Sequence, residues 1–89
     1  MDRQRLEGAL GEFAGSDEAM AVVARQAADL LASGRLEADL GIEPTAETIR
    51  RNLADAPEDS DVIERWNWWM GALELSHGGY LQFRVRTAP

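Results

Sequence analysis

The chain has 89 residues and a formal charge of -7, from 16 acids against nine cations, all of them arginine. It holds no cysteine, which excludes disulfides, zinc–thiolate centres, iron–sulfur clusters and cysteine nucleophiles. No apolar run approaches the length of a membrane-spanning helix, and the chain length argues for a single domain over residues 1–89.

Met1-Asp2-Arg3-Gln4-Arg5 lacks the apolar core of a signal peptide. Leu6, Ala9, Leu10 and Phe13 recur at helical spacing and predict a first helix over 3–14, ended by Gly15. Ser16 is a good N-cap, with Asp17 and Glu18 suited to the first turn of a second helix over 17–33. Its apolar stripe is Met20, Val23, Ala24, Ala27, Leu30 and Leu31, and Gly34 suits a left-handed C-terminal turn. The short connection predicts that these two helices form an antiparallel hairpin.

Residues 35–44 carry Leu36, Leu40 and Ile42 through a Gly41 break and read as a short helical turn and loop. Thr45 then caps a third main helix with Ile49 and Leu53 facing inward and Glu47 four residues before Arg51. Pro57 closes it. Residues 55–64 hold five acids and read as a solvated connection.

The last third differs. It holds five of the six aromatics: Trp66, Trp68, Trp69, Tyr80 and Phe83. Its charge also reverses. Residues 1–64 carry 15 acids against six arginines, whereas residues 65–89 carry Arg65, Arg84 and Arg86 against Glu74. Two patterns compete for 66–76. A helix would align Val62, Ile63, Trp66, Trp69, Met70 and Leu73, started by a capping box at Asp61–Glu64. A hairpin would turn at His77-Gly78-Gly79 and set Leu75 opposite Leu81 and Leu73 opposite Phe83. Gly71 costs a helix about 1 kcal/mol relative to alanine. The expected fold is therefore α+β: an N-terminal helical hairpin, a third helix, and a short helix over 60–65 running into a C-terminal β-hairpin. The alternative is a mainly α bundle whose terminal strand, 80–86, pairs across a dimer.

Few residues suggest catalysis. His77 is the lone histidine and sits in a turn beside two glycines. Ser60 or Ser76 could form a serine triad only if the fold brought them to it, and Gly-x-Ser-x-Gly is absent. No calcium-loop pattern occurs, and no lysine exists to serve a phosphate loop. The expectation is a non-enzymatic chain without metal or cofactor.

Residues 38–53 resemble a helix-turn-helix, with Leu40-Gly41-Ile42 before Thr48-Ile49-Arg50-Arg51, although the spacing is about two residues longer than is usual. Arg84 and Arg86 share a strand face with Gln82 and Tyr80, and aromatics beside arginines can stack on single-stranded bases. Trp68 falls off both apolar stripes, as an interface anchor does. The predicted partner-binding set is Trp68, Tyr80, Gln82, Arg84 and Arg86. The expected role is a homo-oligomeric protein-interaction module acting through the aromatic C-terminal third. A nucleic-acid-binding regulator is the alternative, and no membrane is involved.

Acid excess with no lysine resembles the cytoplasmic proteins of salt-in halophilic archaea, a likeness of composition that covers the whole chain. Strong salt cuts the Debye length to about 3 Å at 1 M and so relieves self-repulsion. This resemblance implies a cytoplasmic protein adapted to concentrated salt.

Overall fold

The computed structural model describes residues 3–41 and 43–86, and among these the chain is helical with no strand. The helices are α1 (Arg3–Leu10), α2 (Asp17–Ala32), α3 (Arg35–Leu40), α4 (Ala46–Ala54) and α5 (Val62–Ser76), followed by a 3-10 turn (Leu81–Phe83). The α+β expectation and its C-terminal β-hairpin are thus overturned. Residues 66–76 continue one long helix, and the segment expected as a strand over 80–86 is a 3-10 turn followed by a short extended tail. Ile42 lies outside the described residues.

Local chemistry explains the helix ends. The Ser16 hydroxyl accepts the Ala19 N–H at 3.0 Å and starts α2. Thr45 and Thr48 cap α4 reciprocally. Asp61 and Glu64 form the expected capping box on α5, each side chain accepting the other's backbone N–H, at 2.8 and 3.0 Å. Gly34, at φ 73°, closes the α2–α3 turn in the left-handed region. The first helix is shorter than its stripe implies. It stops at Leu10, yet Phe13 still reaches the core from the following turn.

All five helices contribute side chains to the core. Helix α2 packs on α1, α3 and α5, while α4 packs on α1 and α5. Leu6, Leu10, Val23, Leu30, Leu36, Ile49, Leu53, Val62, Trp66 and Met70 are buried. Trp66 meets Trp69 edge to face, with ring centroids 5.7 Å apart. Magnitudes explain why the helix prevails over the hairpin. Burying one tryptophan of 150–250 Å² is worth roughly 4–6 kcal/mol at 25 cal/mol/Å². That exceeds the roughly 1 kcal/mol that Gly71 costs.

Arg65 is a buried cation with no carboxylate partner among the described residues. Its guanidinium donates to the carbonyls of Leu53 at 2.9 Å, Ser60 at 3.0 Å and Glu58 at 3.2 Å. It also lies 4.8 Å from the centre of the Phe13 ring. A single side chain therefore satisfies the end of α4 and the acidic connection that follows it. Glu47 pairs with Arg50 rather than with the expected Arg51, and Arg50 reaches on to Glu12 at 3.2 Å.

Candidate functional site

Helix α5 has three faces. Val62, Trp66, Trp69, Met70 and Leu73 point into the core. Asn67 and Glu74, about 100° round the helix, face the C-terminal tail. Trp68 and Leu75 point away from the core and are 41% and 91% exposed. Exposed Ala72 and half-buried Gly71 lie between them. Seven residues make nearly two turns, so Trp68 and Leu75 stand on one line about 10.5 Å apart.

The tail is held by the second face. The Trp66 indole N–H donates to the Phe83 carbonyl at 2.8 Å. The Asn67 side chain donates to the Val85 carbonyl at 2.9 Å and accepts the Val85 N–H at 2.8 Å. Phe83 and Val85 are buried, whereas Arg84 and Arg86 are exposed. One helix turn earlier in the tail, the Glu74 carboxylate accepts the N–H groups of Gly79, Tyr80 and Leu81 at 3.0–3.2 Å. These bonds, led by those from Leu81 and Tyr80, hold its acid below the ordinary carboxylate value.

The predicted partner-binding residues divide. Trp68 is exposed on the outer face of α5. Gln82, Arg84 and Arg86 are exposed and line one open cleft of about 450 Å³ together with Asn67. Tyr80 is fully buried, so it has no surface to offer a partner. Its hydroxyl donates to Asp39 at 2.6 Å, and burial, followed by the hydrogen bond to the Asp39 carboxylate, pushes its pKa well above the ordinary value. The strand face that was to join Tyr80 to Arg84 and Arg86 does not form. Asn67 and Glu74 escaped the sequence reading as tail-binding groups. Asn67 left one signal, a poor helix former inside an aromatic run.

The four residues Trp66-Asn67-Trp68-Trp69 thus combine two core rings, one tail clamp and one outward ring. A model of the WNWW domain matches residues 1–74, more than four fifths of the chain. The chain belongs to the WNWW domain family. The four letters of that description read as its tetrapeptide at 66–69. No curated protein and no solved structure matches the chain. The matched part of the WNWW domain ends within α5, before the tail that Trp66 and Asn67 hold. No helix among the described residues is long and apolar enough to cross a membrane.

Proposed function

We propose that this WNWW domain is a non-enzymatic interaction module that pairs with a second copy of itself through the outer face of α5. The observation that carries the reading is the line formed by Trp68 and Leu75, two large apolar side chains directed away from the core. An exposed tryptophan with a leucine two turns on is the composition of an interface centre rather than of a solvated face. The line also suits a two-fold axis. In an antiparallel pair, Trp68 of each copy meets Leu75 of the other, and the same patch serves both. Gly71 lets a second helix approach closely, since it carries no side chain and nothing beyond its own helix backbone and chain neighbours lies within 4 Å of where a Cβ would stand. The charge of -7 per copy opposes pairing in dilute buffer. Pairing therefore fits a cytoplasm rich in salt, the setting that the lysine-free composition implies.

The test is sedimentation at high salt with Trp68→Ala beside wild type. A dimer in the wild type and a monomer in the variant support the reading.

A second reading is nucleic-acid binding, favoured by the exposure of Arg84 and Arg86 on one cleft. Exchanging both arginines for alanine would then abolish binding to single- or double-stranded probes. The helix-turn-helix version is weaker. Arg50 is already engaged by Glu47 and Glu12, and no hairpin is present among the described residues to act as a wing.

A further inference from the structure

We propose that the groove between α2 and α5 is a receptor for an extended peptide segment, and that residues 83–85 of the chain fill it in cis. The partner segment carries an aromatic and an aliphatic residue two apart, with cationic residues at the alternating positions.

Four observations support this. First, the chain's own segment is held through its backbone. Trp66 takes the Phe83 carbonyl, and Asn67 takes both the N–H and the carbonyl of Val85. Phe83 ends the 3-10 turn and the backbone is extended from Arg84, so contacts of this kind recognise the short backbone run whatever its side chains, and pockets for alternate side chains then add specificity. Second, the side chains alternate. Phe83 and Val85 are buried, with Val85 beside Ala19 and Val22 of α2 and Ile63 of α5, while Arg84 and Arg86 are exposed. Third, the groove and its occupant belong to different parts of the sequence. Trp66, Asn67, Ala19, Val22 and Ile63 all lie in the portion that matches the WNWW domain, and residues 83–85 lie beyond it. Fourth, residues 1–64 carry 15 acids against six arginines, so a cationic segment is drawn to this body, over contact distances alone where salt is concentrated.

The cis occupant is tethered through Gly78 and Gly79, both at positive φ, immediately after α5. A short tether gives an effective concentration of order millimolar. A partner segment must therefore outcompete the tail, which makes the tail an internal competitor that sets the threshold for binding.

The test uses the full chain and a fluorescent synthetic peptide with the sequence of residues 80–86. Phe83→Ala/Val85→Asp weakens the cis occupant and leaves the groove residues untouched. The peptide is expected to bind this variant at least about tenfold more tightly than wild type. Adding Asn67→Ala to the variant is expected to reverse most of that gain, with helical circular dichroism retained. Absence of binding to the folded variant, equal binding to wild type, or indifference to Asn67→Ala would each overturn the proposal. A second measurement needs no variant. Hydrogen exchange at the Val85 amide of wild type should accelerate as peptide is added, while the Leu53 amide is unchanged. A Val85 amide as protected as α5 at every peptide concentration would mean that the tail is a fixed part of the fold, and the proposal would fall.

Discussion

Glu74 closes α5 by accepting the Tyr80 amide at 3.0 Å, one of three tail N–H groups that converge on its carboxylate. The ionised acid is therefore favoured by the fold, and its pKa lies below the ordinary value of 4.5. A carboxylate shifted in this direction contributes stability that is complete above its unfolded pKa. The contribution is lost as the pH falls through the lower folded value. Wild type should melt above Glu74→Gln at pH 7, and the gap should close as the pH falls below the ordinary carboxylate range. Thermal melts across that range check this, and a gap independent of pH would contradict it.

Asn67 offers a second handle on the tail. Asn67→Ala leaves the Val85 N–H and carbonyl without their partner, at a cost of about 1–3 kcal/mol where those groups stay buried. Urea denaturation followed by tryptophan fluorescence should give a loss in that range. Fast hydrogen exchange should appear at Val85 while α2 stays protected. Equal loss of protection in both segments would contradict a local clamp.

Two glycines should respond in opposite ways. Gly79 has φ 86°, and a Cβ there would stand 2.5 Å from the Arg35 guanidinium, which itself donates to the Gly78 carbonyl. Gly79→Ala should therefore destabilise the domain by about 1–2 kcal/mol from the left-handed backbone alone. Gly71 is helical with open space about it, so Gly71→Ala should stabilise the monomer by about 1 kcal/mol. Equilibrium denaturation of the two variants beside wild type tests both signs.

The helical caps were legible in the sequence because capping is local chemistry. Ser16, Thr45 and Asp61 each begin a helix where their side chains can accept the N3 amide, and Gly34 turns where a left-handed residue is needed. Residues 66–76 were not legible, because two periods fit them. Leu73 and Leu75 alternate as a strand would, yet Leu73 is buried in the core and Leu75 is 91% exposed. The decision lay in tertiary packing, in the burial of Trp66 and Trp69 in the core, which no local rule reports. Trp68 was legible as an outward residue because it fell off either stripe. Tyr80 was misplaced because its outward face depended on a strand that does not form. Asn67 and Glu74 bind backbone groups that are 5–18 positions away in sequence, so only the fold joins them.

The acidic surface predicts a dependence on salt. Few ion pairs offset the 16 acids: among the described residues the exposed pairs are Arg50 with Glu12 and Glu47. Screening should therefore raise the melting temperature steadily as KCl goes from about 0.1 M to about 3 M. A domain equally stable at both ends would contradict adaptation to concentrated salt.

The most direct test of pairing through α5 is sedimentation equilibrium at high salt, comparing wild type with Trp68→Ala/Leu75→Ala. Both side chains are exposed, so the variant should keep its helical circular dichroism and its melting behaviour as a monomer. Wild type should form a concentration-dependent dimer and the variant should stay a monomer at the same loading. A wild type that stays monomeric at every concentration, or a variant that sediments identically to a dimeric wild type, would rule out pairing through α5.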